Sequence, residues 1–376
     1  MAEPRAGKNQ ESEIPGPRAT PDLFGHRDAE RALRAAYDSG RLAHAWLITG
    51  PRGVGKATLA YRFARWVLAE GAAGGTTGSQ AALFDDPGKA DPLALDPAHP
   101  VFHRVRSGGH ADLLVIERTI HPKTRRIRRE IVVEDVRRLG EFLSLTPAEG
   151  GWRVAIVDVA DELNRAGANA VLKLIEEPPP RALILLVSHV PGRLPPTIRS
   201  RCRRLALTPL DDADVIAVLG RLAPDLDAAE AVVLARLGRG SPGQALGLAA
   251  GGGVDLYKSM MTLVASLPDL DVPALHALGD RLARAGAEAA YVTAMDLLCQ
   301  WLARAIAAVG REAMPTEIVP GEFDAARRVI GRGDLDQWVA LWENISRLAA
   351  RAERINLNRK QVVLSAFTAL ESVARA

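Results

Sequence analysis

The segment of residues 50–56, Gly-Pro-Arg-Gly-Val-Gly-Lys, constrains the fold more strongly than any other part of the chain. It follows the apolar run 45–48 and precedes an amphipathic stretch from residue 58 to about residue 70, which predicts a buried strand, a glycine-rich turn and a helix. Backbone N–H groups in such a turn cradle phosphate oxygens, and the ammonium of Lys56 can reach the β- and γ-phosphates. A tight turn with a solvated lysine is the structural alternative.

The residues around this turn depart from the pattern of a nucleotide hydrolase. Ala57 stands where a serine or threonine hydroxyl would bind Mg²⁺, and Thr58 is one position late, about 100° around the helix. The apolar strand predicted at 152–159 carries Asp158, but Val159 follows where a second acid would orient the attacking water. We therefore expect that a nucleotide can still be held while its hydrolysis is impaired or absent.

Strand and helix patterns alternate from residue 21 to residue 207, which predicts an α/β domain with a mostly parallel sheet. Only helical periodicity follows, and the apolar stripe Leu335, Val339, Trp342, Ile345 and Leu348 is assigned to a core. The triglycine 251–253 is interpreted as a linker. The predicted parts are a flexible leader at 1–20, the α/β domain at 21–207 with an insertion or loop at 71–111, a helical domain at 208–250 and a helical domain at 254–376.

Composition narrows the environment of the protein. The 376 residues include 48 basic and 45 acidic side chains, a net charge of +3 that permits anionic partners without identifying one. Two cysteines, Cys202 and Cys299, are too few for a disulfide framework, and neither a membrane-spanning run nor a secretion signal is evident. We expect a cytoplasmic protein with no membrane partner. His99, His103 and His110 lie in the insertion without metal-binding cysteines, so no zinc or other metal site is expected.

Several segments between residues 21 and 207 resemble the clamp-loader branch of the AAA+ ATPases. The matching features are the strand that ends in Asp158, Asn-Ala-Val-Leu-Lys at 169–173, Glu-Glu-Pro at 176–178, and Leu-Pro-Pro-Thr-Ile-Arg-Ser-Arg-Cys at 194–202. The resemblance implies an AAA+ phosphate-loop domain, a small helical lid domain and an all-α C-terminal collar domain that mediates oligomerisation.

The resemblance also assigns roles to individual residues. Arg201 matches an arginine finger that reaches into the ATP site of a neighbouring subunit; a solvated arginine in a basic cluster is the alternative. Ser188 matches a small polar sensor, and Gly243 replaces the sensor arginine of motor subunits. The candidate nucleotide-binding residues are Gly50, Gly53, Gly55, Lys56, Thr58, Asp158 and Ser188.

The chain keeps Arg201 but lacks the hydroxyl after Lys56, the second acid after Asp158 and the sensor arginine. With these losses, the resemblance implies a largely non-hydrolysing subunit of the bacterial DNA polymerase III clamp loader. Such a subunit could bind ATP without hydrolysing it. The implied partners are motor ATPase and delta subunits in a hetero-pentamer, the sliding clamp, and primed DNA. An active motor ATPase and an AAA+ switch in DNA repair or helicase loading remain alternatives. The basic run at 123–129 is interpreted either as a DNA contact or as a solvated hairpin.

Overall fold

The computed structural model describes most of the chain. The described residues are 15–72, 91–121, 123, 125, 127–311, 316–331, 334–355 and 357–375. They form two compact units, one of residues 1–223 with 240–243 and one of residues 224–239 with 244–376. The leader prediction falls mostly outside the described residues, and the three-domain division stays a prediction.

Five parallel strands form the sheet of the first unit in the order β2-β3-β4-β1-β5. The strands are β1 at Ala45–Thr49, β2 at Leu113–Ile116, β3 at Arg153–Asp158, β4 at Ala182–Ser188 and β5 at Arg203–Ala206. The prediction of an α/β fold with a parallel sheet is confirmed. Strand β5 was not expected, because its sequence Arg-Arg-Leu-Ala lacks the apolar run of a buried strand.

Seven helices accompany this sheet among the described residues. They are α1 at Arg27–Asp38, α2 at Lys56–Ala72, α3 at Pro100–Ser107, α4 at Val133–Ser144, α5 at Arg165–Glu176, α6 at Pro196–Arg201 and α7 at Asp212–Leu222. Helix α3 lies inside the range assigned to an insertion or loop; its N-terminus is capped by His99, whose Nδ1 accepts a hydrogen bond from Val101 N at 3.2 Å.

Both faces of the sheet are buried, which explains why the interiors of its central strands are apolar. In β1, Trp46 and Ile48 pack into the cluster that includes side chains of α1 and α2, whereas Ala45 and Leu47 pack into the cluster that includes α4 and α5. Alternate residues of a strand point to opposite faces, so a sheet covered on both sides needs no polar face. The packing on both faces holds the ends of the strands at fixed positions in the sheet.

The second unit is helical throughout its described residues. It comprises α8 at Ala228–Gly238, α9 at Pro242–Ala250 from its third residue, α10 at Gly253–Ala265, α11 at Val272–Ala283, α12 at Glu288–Arg311, α13 at Glu322–Ile330, α14 at Leu335–Ile355 and α15 at Arg359–Arg375. Only Gly251 and Gly252 of the triglycine lie between helices, whereas all three residues were expected to form a linker. Gly252 adopts a left-handed φ of 64°, and α10 already begins at Gly253.

The apolar stripe predicted in α14 is mostly correct. Ile345 is buried, and Leu335, Trp342 and Leu348 pack partly buried against the same core. Val339, however, is 41% exposed, while the adjacent Trp338 is fully buried. The stripe is therefore centred one position away from Val339.

One described helix, α12, is long and apolar enough to cross a membrane by length and composition alone. Several of its side chains, including Trp301 and Leu302, belong to the buried core of the second unit. Burial among the other helices accounts for its apolar sequence.

The segment 240–243 packs directly on the phosphate loop, and both belong to the first unit. Gly243 N donates to Gly53 O at 2.9 Å, and the hydroxyl of Ser241 donates to Arg52 O at 2.7 Å. A Cβ at position 243 would lie 2.9 Å from Gly53 Cα and 3.0 Å from Gly53 O. Only glycine allows the two backbones to approach this closely.

We expect Gly243→Ala to lower the free energy of unfolding of the first unit by about 1–3 kcal/mol, because its methyl group meets backbone atoms that cannot move aside easily. The matched control is Gly247→Ala, an exposed position in the same helix with nothing within 4 Å of the added methyl group. Alanine there should leave stability unchanged or raise it by up to about 1 kcal/mol. Denaturant unfolding of both variants measures the difference; equal stabilities would contradict the close approach.

Candidate nucleotide site and exposed arginine

The phosphate loop connects β1 to α2 at the carboxyl edge of the sheet, as predicted. Its three glycines have positive φ angles, 147° at Gly50, 77° at Gly53 and 108° at Gly55. A Cβ at Gly50 would lie 2.4 Å from Leu207 O, and one at Gly55 would lie 2.9 Å from a methyl group of Leu23. Both the backbone conformation and the surrounding space therefore require glycine at positions 50 and 55.

Three consecutive carbonyl groups of the loop, those of residues 52–54, accept hydrogen bonds from outside it. The donors are Ser241 Oγ to Arg52 O, Gly243 N to Gly53 O, and His26 Nε2 to Val54 O at 2.9 Å. Burial lowers the pKa of His26, which favours the neutral ring as the donor. Because C=O and N–H point in opposite directions across a trans peptide, the N–H groups of residues 53–55 face away from these partners. Such a row of N–H groups suits an anion.

Lys56 is buried and its ammonium is bonded within the loop. Nζ donates to Gly50 O at 2.8 Å and to Pro51 O at 2.5 Å. Burial lowers the pKa of Lys56 to about 8, while the negative charges of Asp158 and Asp161 act to raise it. The ammonium that would bind phosphate therefore has two carbonyl partners and two carboxylates in its field.

The acidic strand end lies where the sequence predicts it. Asp158 is the last residue of β3, and burial raises the pKa of its carboxyl group. Val159 follows it and offers no group that could orient water. Ala57 and the half-buried Thr58 lie in the first turn of α2. The sequence alone shows that no hydroxyl follows Lys56 directly and that no second acid follows Asp158 directly.

Ser188 is fully buried at the end of β4, in register with Thr49 of β1. Its hydroxyl donates to Asp161 Oδ1 at 2.5 Å, and Asp161 Oδ2 accepts from the backbone N–H groups of His189 and Val190 at 2.6 and 2.8 Å. The structure thus brings Ser188 to the same sheet edge as Lys56 and Asp158. Its hydroxyl proton is already committed to a carboxylate of the same chain.

Arg201 is the last residue of α6 and is exposed. Its Nη2 lies 2.9 Å from Glu176 Oε1, and its Nη1 donates to Thr197 O at 3.3 Å. The side chain is 44% exposed, and that of Glu176 is 40% exposed. The nearby Arg203 has a different contact: its guanidinium stacks on the ring of Trp46, 4.8 Å from the ring centroid.

Cys202 follows Arg201 and is buried in the core cluster that includes Ile198 and Leu194. Burial raises the pKa of its thiol to about 12, so the group is a neutral, unreactive thiol near pH 7. The cysteine of this motif packs the end of α6 against the domain, while the arginine before it remains at the surface.

The histidines considered for metal binding have local structural contacts. His99 caps α3, and the buried His110 accepts a hydrogen bond from Asp112 N at Nδ1, at 3.2 Å. Among the described residues, no group of three or more His, Cys, Asp or Glu side chains could hold a metal ion.

At the basic run before α4, Ile120 and Ile127 pair in an antiparallel bridge, and residues 124 and 126 of the run lie outside the described residues. Both isoleucines are about two-thirds exposed. Lys123, Arg125 and Arg129 are exposed as well. The choice between a DNA contact and a solvated hairpin stays open.

Sequence reasoning missed Asp161, Glu176 and Ser241 as members of this site. Each acts on a residue distant in the chain, 27 residues away for Asp161 and Ser188, and 189 residues away for Ser241 and Arg52. The signal for Asp161 was available, because this acid lies three residues beyond Asp158, the end of β3.

The chain is similar to several known proteins. Residues 25–211 match the family model described as DNA polymerase III, delta subunit. A DNA polymerase III delta' subunit from Pseudomonas aeruginosa is 34% identical over 201 residues, 53% of this chain and 54% of the relative. The tau subunit from Escherichia coli is 31% identical over 195 residues, 52% of this chain and 26% of the relative. The chain thus matches about half the length of the first of these relatives and a quarter of the second.

Among solved structures, a gamma subunit-related protein from Thermotoga maritima aligns with 93% of this chain and 100% of its own, at 19% identity and a TM-score of 0.41. The family match spans the sheet, the phosphate loop and the segment that carries Arg201. On this evidence residues 25–211, about half of the chain, belong to the family described as DNA polymerase III, delta subunit.

Proposed function

We propose that the protein is the delta' subunit of a replicative clamp loader, which helps to load the sliding clamp onto primed DNA and donates Arg201 to the ATP site of a neighbouring subunit. The observation that carries the proposal is an asymmetry within one domain. Arg201 is present and exposed, whereas position 159 is valine and position 57 is alanine, so these two positions supply neither a water-orienting acid nor a hydroxyl ligand for Mg²⁺.

The chemistry of arginine fits this role. A guanidinium is always charged and can bind two phosphate oxygens at once, so it stabilises the charge that develops as the γ-phosphoryl group leaves. Arg201 is exposed at the end of a short helix and its stem is not buried in the core. A neighbouring subunit can therefore approach it without unfolding any part of this domain.

The chain's own phosphate loop can hold a nucleotide only if Lys56 exchanges partners. The amides of residues 53–55 and the ammonium of Lys56 are the groups that would bind phosphate oxygens. Lys56 now donates to Gly50 O and Pro51 O, and Ser188 donates to Asp161. In our proposal ATP is bound weakly at most and is not hydrolysed here.

The proposed partners follow from the family. They are the motor ATPase and delta subunits of a hetero-pentameric loader, the sliding clamp, and primed DNA, in the cytoplasm. The helices of the second unit, after the triglycine turn, are proposed to provide most of the subunit contacts. The basic hairpin before α4 is one candidate for contact with the DNA backbone.

The purified chain should show no ATP turnover above background, because Ala57 supplies no Mg²⁺ ligand and Val159 orients no water. Steady-state release of phosphate from ATP measures this, with an active motor subunit of the loader as the positive control. Turnover of about 1 s⁻¹, the low end of ordinary enzyme rates, would instead support the alternative of an active motor ATPase.

Arg201→Ala should leave the chain folded and the loader assembled, because an exposed arginine contributes little to stability. In the reconstituted loader, single-turnover hydrolysis at the adjoining ATP site should fall by about 10³ or more, the usual contribution of an arginine finger. Arg201→Lys should restore little of this rate, because an ammonium lacks the planar, bidentate geometry of guanidinium.

Arg199→Ala is the matched control for this experiment, since Arg199 is exposed on the same helix α6. The reconstituted loader that contains Arg199→Ala should hydrolyse ATP and load clamps at the wild-type rate. Equal rates for wild type and Arg201→Ala would show that Arg201 is a solvated member of the basic cluster. Purification with native partners separates the remaining alternative, because a repair or helicase-loading switch would not copurify with clamp-loader subunits.

A further inference from the structure

Glu176 contacts Arg201 across two helices whose C-terminal ends meet. Glu176 is the last residue of α5 and Arg201 is the last residue of α6, with 2.9 Å between Oε1 and Nη2. A carboxylate is disfavoured at a helix C-terminus, where the helix dipole is negative. The stability of α5 therefore does not account for a glutamate at this position, whereas its contact with Arg201 does.

The hydrogen bonds of Arg201 leave part of the guanidinium free to act. Arginine has five N–H donors; one on Nη1 donates to Thr197 O, and Nη2 forms an ion pair with Glu176. The other N–H groups belong to a side chain that is 44% exposed. Glu176 and Thr197 therefore hold the guanidinium without occupying all of its donors.

We propose that Glu176 is a positioning residue for Arg201, holding the guanidinium in the orientation from which its remaining N–H groups meet a phosphate of the neighbouring subunit. The inference rests on the proposed function of Arg201. The physical reason is entropic, because a long arginine side chain at a surface samples many rotamers, and restricting them beforehand reduces what must be lost at the transition state.

The test is single-turnover ATP hydrolysis by the reconstituted loader containing the full chain. Glu176→Ala should lower the rate at the adjoining site by about two- to fivefold, since an exposed ion pair contributes modestly. Glu176→Asp should restore part of the loss, because it keeps the charge. The matched control is Glu177→Ala, since Glu177 is also exposed at the end of α5 and has no ion pair with a described residue.

The same substitution in the Arg201→Ala background distinguishes positioning from a general structural role. If Glu176 acts through Arg201, removing it from a chain that lacks Arg201 should change nothing further. An equal fold-loss in both backgrounds, an unchanged rate, or a faster rate after Glu176→Ala would each overturn the inference. Circular dichroism and assembly of the loader check that the variants fold.

The two levels of proposal fail differently. If Arg201→Ala slows hydrolysis but Glu176→Ala does not, only the positioning role is wrong and the proposed function stands. If Arg201→Ala leaves hydrolysis unchanged, the arginine-finger function fails, and the role of Glu176 fails with it.

Discussion

The parallel pairing of β1 with β4 on one side and β5 on the other is the constraint on which the site depends. It sets Thr49 level with Ser188 and with Ala206, so the phosphate loop leaves the sheet between two fixed neighbours. Leu207 follows β5 directly; its N–H donates to Thr49 O at 2.7 Å, and its own carbonyl lies against Gly50. The glycine at the start of the loop is thus required by the end of a strand that enters the sheet more than 150 residues later.

Groups of the same chain balance the positive charge of Lys56 at this edge of the sheet. A buried ammonium is unfavourable unless it is hydrogen-bonded and near opposite charge, and Lys56 has both, through two loop carbonyls and through Asp158 and Asp161. The same electrostatics lower the pKa of His189 to about 4, with burial as the largest cause and Lys56 next, so that ring adds no further positive charge. Lys56 is thus stabilised by partners within the chain itself.

The elements that sequence alone could predict are those whose signal is local. The apolar runs of β1, β3 and β4 and the glycine spacing of the loop placed Lys56, Asp158 and Ser188 at one edge. Strand β5 was missed because its hydrophobic partners lie in other strands, and α3 because a capping histidine and a proline begin it within a polar segment. Contacts such as Ser241 with Arg52 depend on how distant segments close on the loop, which no local pattern encodes.

Asp161 connects the two halves of the site. It accepts hydrogen bonds from the hydroxyl of Ser188 and from the N–H groups of His189 and Val190, the first two residues after β4. These residues begin the connection from β4 to α6, the helix that ends in Arg201. A carboxylate bonded to three donors of one turn restricts that turn strongly. The hydrogen bonds of Asp161 therefore fix the start of the segment that leads to Arg201.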